Sequence, residues 1–346
     1  MQQKRTPLIS VIIPAFNAEA SIERAVLSVL EQSYSPVEVI VVDDGSEDGT
    51  GAILKDLANR NSQLTVVKHD QNRGVSASRN AGILLAKGDW ISFLDADDYF
   101  RTDYISQISP HLAQRDLLLT SYVQVDGNGG EIVKRHAMKG TMEVTDQDLL
   151  AYMEDYFFKP YAFTALMHCW NKFFRSDILM ANKVVFDERL SQLEDVNFVC
   201  SYLRWSESRI YVDAPGLCHT VNDSSGNLSS QSGTGKDACE KLVTALSAAD
   251  GLKKHLLDHC QRDEAVSFKH FICSMSVLFC MRIGRQFWRS PAWSSVTQIY
   301  RWLSFEFIRE CARAFRHVPG ESRLLAFSLR RFPPLMSTII LLCLRR

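Results

Sequence analysis

Two hydrophobic periods take turns along the first hundred residues. Leu8-Ile9-Ser10-Val11-Ile12-Ile13-Pro14 is a nearly continuous β-branched run, as in a strand covered on both faces. Ile22, Val26, Val29 and Leu30 then fall at helical spacing. The same exchange repeats: a strand over 37–42 ending in Asp43-Asp44-Gly45-Ser46, a helix marked by Ile53, Leu54 and Leu57, a strand over 64–67, a helix over 75–87 and a strand over 90–94. The order β-α-β-α-β-α-β predicts an α/β domain with a doubly wound, mainly parallel sheet, whose ligands bind at the carboxyl ends of the strands.

The pattern is mixed from about 115 to 230. It predicts a strand over 117–125, a turn at Gly127-Asn128-Gly129-Gly130, and a helix with Val196, Val199 and Leu203 on one face. The Ser-, Gly- and Asn-rich stretch 222–235 reads as a loop, and everything after about 236 as helical. The expected division is a catalytic-type domain over 1–230, with a first half over 7–115 and a second over 116–230, followed by a helical extension over 231–346.

Composition changes this picture in four places. A net charge of −1 on 346 residues gives no argument for a nucleic-acid partner. The nine cysteines form no Cys-x-x-Cys pair, which disfavours zinc and disulfide frameworks and fits a reducing compartment. The start of the chain shows no apolar signal segment, so a cytoplasmic location is expected. Finally, arginines recur from Arg282 to Arg346 against only Glu306, Glu310 and Glu321. In 322–346, Phe327, Leu329, Phe332 and Leu335 alternate with Arg330 and Arg331. The apolar run after Pro334 is too short to span a bilayer, which takes about 20 residues. This composition fits either an interfacial helix on anionic lipid or a helix folded onto the protein.

Candidate chemistry sits where the strands end. Asp95, Asp97 and Asp98 repel one another unless a cation sits among them. They suit Mg²⁺ or Mn²⁺ holding a diphosphate, or else a solvated acidic turn. The loop beginning Asp43-Asp44 either caps the next helix or offers a carboxylate to the imide N–H of uracil. Asn72-Arg73-Gly74 and Ser78-Arg79-Asn80-Ala81-Gly82 open a helix with small residues, letting a backbone approach phosphate, with Arg79 as a nearby cation. Neither a Gly-x-Gly-x-x-Gly nor a Gly-Lys-Ser/Thr motif is present, which disfavours dinucleotide and P-loop sites. Glu194-Asp195 can cap the helix that starts beside it, and a capping position also holds a base rigidly.

Taken together, Pro14-Ala15-Phe16-Asn17, Val42-Asp43-Asp44-Gly45-Ser46, the 72–82 segment, and Phe93-Leu94-Asp95-Ala96-Asp97-Asp98 resemble the motifs of family 2 glycosyltransferases of the GT-A fold. Trp170-Asn171-Lys172-Phe173-Phe174-Arg175 and Gln192-Leu193-Glu194-Asp195 resemble later segments of the bacterial O-antigen, capsule and exopolysaccharide members. The resemblance covers roughly 7–220. It implies that Pro14, Ala15 and Phe16 line a uracil that Asp43 hydrogen-bonds, with Asp44, Asn72 and Arg79 also on the nucleotide-sugar side. It implies that Asp95 faces ribose and metal, that Asp97 is the direct metal ligand, and that Asp195 is the catalytic base. Trp170, Asn171, Lys172 and Glu194 fall on the acceptor side, and His219 is either a further metal or diphosphate contact or a structural histidine.

The expectation is an inverting, metal-dependent transfer from a UDP-sugar to an undecaprenyl diphosphate-linked saccharide, by an enzyme resting on the inner face of the cytoplasmic membrane. A sugar-phosphate nucleotidyltransferase is the competing enzyme class, although residues 14–19 lack its Gly-rich basic loop. A membrane-surface assembly subunit without catalysis is the non-enzyme alternative.

Overall fold

The computed structural model describes residues 5–149 (except 137 and 139), 168–190 and 194–221. The expected loop over 222–235 and helical extension with its 322–346 tail lie outside these residues. The chain divides into two compact units, the first comprising Met1–Thr145, Thr164–Leu190 and Glu194–Gly226. Every candidate site residue lies in this first unit.

The expected exchange of strand and helix is present: β1 (Ile9–Ala15), α1 (Ile22–Leu30), β2 (Val37–Asp43), α2 (Thr50–Arg60), β3 (Leu64–Lys68), α3 (Val75–Leu85) and β4 (Trp90–Phe93). These strands run parallel in the order β3-β2-β1-β4. The chain winds outward from β1 to β3, then returns through α3 to the other side of β1. The carboxyl ends of β1 and β4 therefore flank the point where strand order reverses, which is where open α/β sheets bind ligands. Helix α3 lies close on β1 because residue 82 is glycine: a Cβ there would stand 2.4 Å from Ile12 Cγ2.

Beyond β4 the sheet turns mixed. It continues through β5 (Tyr99–Phe100), α4 (Tyr104–Ile108), β6 (Leu117–Val125), β7 (Glu131–Arg135), β8 (Met142–Glu143), β9 (Lys172–Arg175), α5 (Ser176–Ala181), α6 (Glu194–Leu203) and β10 (Arg209–Thr220). Strand β9 is antiparallel to both neighbours, β4 and β6. Its amino end at Lys172, reached through residues 168–171, thus lies beside the carboxyl end of β4. Strand β10 runs parallel to β6 and antiparallel to β5.

Val196, Val199 and Leu203 are all buried on α6, as their spacing predicts. The helix is seated by an aromatic cluster. Phe93 meets Phe174, Phe186 and Phe198 edge-on at 6.0, 5.3 and 5.6 Å, and Phe186 stacks on Phe198 at 4.0 Å. Such pairs contribute about 0.5–1.5 kcal/mol each beyond their area burial. They fix the position of α6, and with it the two acids in its first turn.

Candidate active site

Asp43 ends β2 and is 1% exposed. Its Oδ1 accepts the Ser46 backbone N–H (2.8 Å). Its Oδ2 is buried without a hydrogen bond, and only the Lys68 ammonium stands near it, at 3.4 Å. A buried acceptor without a donor is costly unless a ligand supplies one. Asp44 turns the other way. Its Oδ1 accepts from His69 Nδ1 (2.7 Å) and Arg73 N (3.0 Å), and its Oδ2 from Gly74 N (2.7 Å). Both oxygens are spent on holding the 69–74 loop against the sheet. Gly45, at φ +77°, permits this approach, because a Cβ there would lie 2.8 Å from the Gln71 backbone. Asn72 is exposed, and its Oδ1 accepts the Gly74 N–H (3.0 Å). At the end of β1, Pro14 is half-buried, Ala15 is buried and Phe16 is exposed. A base lying over Phe16 would thus have an apolar surface beneath it.

The acidic loop after β4 gives its three carboxylates different surroundings. Asp95 accepts from Arg79 Nη2 (2.9 Å). The Asp97 carboxylate accepts no hydrogen bond from another described residue; only its backbone carbonyl is held, by Arg24 Nη2 and Thr220 Oγ1 (2.7 Å each). Burial and then the neighbouring Asp95 push the Asp97 carboxyl above its ordinary range. Asp98 is fully buried and accepts from the Thr220 N–H (2.8 Å), with His219 Nδ1 at 3.0 Å. Burial raises the pKa of Asp98, and the Asp98 carboxylate raises that of His219 against the effect of burial. Trp170 stacks on His219 at 5.1 Å and on His168 at 4.6 Å.

Arg79 joins this loop to α6. It is 3% exposed, donating through Nη2 to Asp95 and through Nη1 to Asp195 Oδ1 (2.6 Å), with Glu194 Oε1 3.9 Å from Nη1. Burial disfavours the cation, yet Asp195, Asp95 and Glu194 outweigh it and hold Arg79 charged. Asp195 Oδ2 accepts the Cys169 backbone N–H (3.1 Å). Burial, then repulsion from Asp195, pushes Glu194 up to about 7.

The expected residues thus separate into groups. Asp43, Asp95, Asp97, Arg79, Glu194 and Asp195 stand at strand ends or helix starts of one edge, and the Arg79 contacts join the last of these to Asp95. Arg79 is a bridge between carboxylates rather than a free cation for the nucleotide, because both of its Nη groups are engaged. Asp44 organises a loop. Trp170, Asn171 and Lys172 are buried, so they shape the 168–171 turn and offer little surface of their own. Sequence reasoning missed Arg24 and Lys68, which are ordinary surface-type residues by composition. It also missed Cys169, which acts through its backbone and leaves no side-chain signal.

The sheet order, the switch point and the acidic loop after β4 define a nucleotide-sugar-type α/β domain of the GT-A class. The chain belongs to glycosyl transferase family 2, whose sequence profile matches residues 10–183, half of the chain. It is 30% identical over 207 residues to the uncharacterized glycosyltransferase EpsJ of Bacillus subtilis strain 168, covering 58% of this chain and 57% of EpsJ. It is 36% identical over 115 residues to WfaP of Escherichia coli, covering 33% of this chain and 45% of WfaP. WfaP is described as a UDP-Glc:alpha-D-GlcNAc-diphosphoundecaprenol beta-1,3-glucosyltransferase. The chain spans between 51% and 62% of the length of the first three curated relatives. In fold it is similar to Staphylococcus aureus TarS 1–349, solved in complex with UDP-GlcNAc: TM-score 0.63, 21% identity, 93% of this chain and 87% of that one.

Proposed function

We propose that this protein is an inverting, metal-dependent glycosyltransferase that moves a sugar from a UDP-sugar to a lipid-linked saccharide during assembly of a bacterial surface polysaccharide. The observation that carries the reading is the buried Arg79, which ties the loop of Asp95 and Asp97 to the first turn of α6, with Glu194 and Asp195. A donor site and a base for an acceptor must meet in this way if a hydroxyl is to attack in line with departure of the nucleotide. Membership of the family, and relatives named for such transfers, support the same reading.

Residue by residue, the orphan Asp43 Oδ2 would accept the imide N–H of uracil, with Phe16 beneath the base. Asp95 would face the ribose. Asp195, held at both oxygens, would take the proton of the acceptor hydroxyl, and Glu194 would line the acceptor side. The hard oxygen set fits Mg²⁺ or Mn²⁺, with Asp97 as ligand: its carboxylate is half-buried, raised in pKa and short of a partner. No group of three His, Cys, Asp or Glu among the described residues forms a ready metal cage. That accords with ions which take one or two carboxylates and complete their shell with phosphate and water. When bound, such an ion would neutralise charge on the leaving diphosphate. No helix among the described residues is long and apolar enough to cross a membrane. Residence on the inner membrane face through 322–346, with an undecaprenyl diphosphate-linked acceptor, is part of the proposal and rests on the composition of that tail.

Calorimetry with UDP and CDP in Mn²⁺ tests the donor half. Uracil N3 carries the proton that Asp43 Oδ2 lacks, whereas cytosine N3 is itself an acceptor. UDP should therefore bind at least about tenfold more tightly, the worth of one hydrogen bond to a charged group. Equal binding, or none, would contradict the assignment.

A further inference from the structure

Lys172 is the first residue of β9, fully buried, and it has no evident need of a charge for stability. An apolar side chain of its length would fill the same space beside Phe173 without the cost of desolvating an ammonium. What it does touch is specific. Its Nζ donates to Asn171 Oδ1 (2.8 Å) and to the carbonyl of His168. That carbonyl belongs to the same peptide group as the Cys169 N–H, which is donated to Asp195 Oδ2. A cation on an amide oxygen draws density from the nitrogen and makes its N–H a stronger donor, as in any cooperative hydrogen-bond chain.

We propose that Lys172 is a positioning residue for Asp195, acting through the single peptide group between His168 and Cys169. Arg79 holds one Asp195 oxygen and this peptide holds the other, so the carboxylate is fixed in rotation as well as in place. The inference rests on the reading of Asp195 as the group that takes the acceptor proton. The groups facing the ammonium are His168, Cys169 and Asn171 from its own segment and Asp195 and Cys200 from α6. Burial, then the neighbouring Lys172, pushes the His168 imidazole down to about 3, so it stays neutral and adds no competing charge. Burial pushes the Lys172 ammonium down to about 7. The charged form, which polarises the peptide, is therefore present below that pH and lost above it.

The test uses the full chain with K172M, and with K172Q in case the methionine variant does not fold. Transfer is measured from whichever of UDP-glucose, UDP-galactose, UDP-N-acetylglucosamine and UDP-N-acetylgalactosamine the wild type uses. Loss of a charge-assisted bond predicts a fall in kcat of about tenfold or more, with donor KM and UDP affinity unchanged. The wild-type kcat should decline as pH rises through about 7, and K172M should lack this alkaline limb. Selective ¹⁵N-cysteine labelling gives a readout without turnover: the Cys169 amide proton should shift upfield across the same pH range in the wild type and be insensitive to pH in K172M. A folded K172M with wild-type kcat and pH profile would overturn the proposal, as would failure of both variants to fold, which would make Lys172 a stability residue. If the wild type transfers from none of the donors, the function reading fails instead, and the Cys169 resonance alone decides this one.

Discussion

Replacing Asp195 by Asn separates the chemistry of the site from its architecture. The carboxylate accepts from Arg79 Nη1 at 2.6 Å and from Cys169 N at 3.1 Å. An amide has one acceptor, so its NH₂ must face one of these two donors. That leaves a buried N–H unsatisfied, at about 1–3 kcal/mol. Arg79 keeps Asp95 at 2.9 Å, so the donor side of the bridge survives. At about 2–4 °C per kcal/mol for a domain of this size, the melting temperature should fall by a few degrees to about ten. Removing a general base lowers turnover by about 10²–10⁴-fold, which at 1.36 kcal/mol per decade is about 3–5 kcal/mol of transition-state stabilisation. The loss should lie in kcat, while UDP affinity stays within about threefold, less than 1 kcal/mol. The assay pairs steady-state transfer with UDP calorimetry at a temperature well below the melting transition. A variant with kcat within tenfold of wild type, or one that loses UDP affinity in step with activity, would refute the role of Asp195 as base.

Other substitutions probe the remaining parts. Asp44→Asn also pits an amide NH₂ against a backbone or imidazole N–H, so thermal denaturation should show a loss of about 1–3 kcal/mol from loosening of the 69–74 loop. Asp43→Asn must keep its oxygen toward the Ser46 N–H, which turns NH₂ toward the base. Calorimetry should show UDP weakened about tenfold or more, with the preference over CDP narrowed or reversed. Glu194→Gln reports on pH. The carboxyl is raised from 4.5 to about 7 in the fold, so the native state binds more protons than the unfolded chain in that interval. Its contribution to stability therefore falls as pH rises through the window. The variant should gain melting temperature relative to wild type at pH 8 but not at pH 5; equal shifts at both would contradict the assignment.

The parallel half was legible because each strand from β1 to β4 is a mostly apolar, β-branched or aromatic run and each helix between them keeps its period. Boundaries differed by a residue or two, as at α3, which ends at Leu85 ahead of Ala86, Lys87 and Gly88. Strand β9 was not legible. Its Lys172-Phe173-Phe174-Arg175 is four residues long, takes its strand form from pairing with β4 and β6, and reads in sequence only as part of a motif. The short β5 and β8 escaped for the same reason, because both pair with β10, far away in the chain; β7 forms a hairpin with β6 across the turn at 127–130, but its Glu131-Ile132-Val133-Lys134-Arg135 is too charged to read as a strand. In the site, sequence could name the acids but not divide their labour. Asp43 and Asp44 are adjacent and chemically identical, and the alternation of side chains at a strand end sends one toward Lys68 and the other into the 69–74 loop. Nor could sequence show that Arg79 spends its charge on Asp95 and Asp195, which lie 16 and 116 positions away.

The central claim is metal-dependent transfer from a UDP-sugar, and it is tested most directly by incubating the full chain with the four UDP-sugars and a synthetic lipid-diphosphate monosaccharide. Product is followed by mass spectrometry, and its anomeric configuration by NMR. The account predicts one preferred donor, a product of inverted configuration, and transfer that requires Mg²⁺ or Mn²⁺ and is abolished by EDTA. It also predicts loss of transfer in Asp97→Asn, a variant that should melt no lower than wild type because its carboxylate accepts no hydrogen bond from another described residue. Transfer undiminished by EDTA or by Asp97→Asn, a product of retained configuration, or diphosphate release from a nucleoside triphosphate and a sugar phosphate in place of transfer would contradict it.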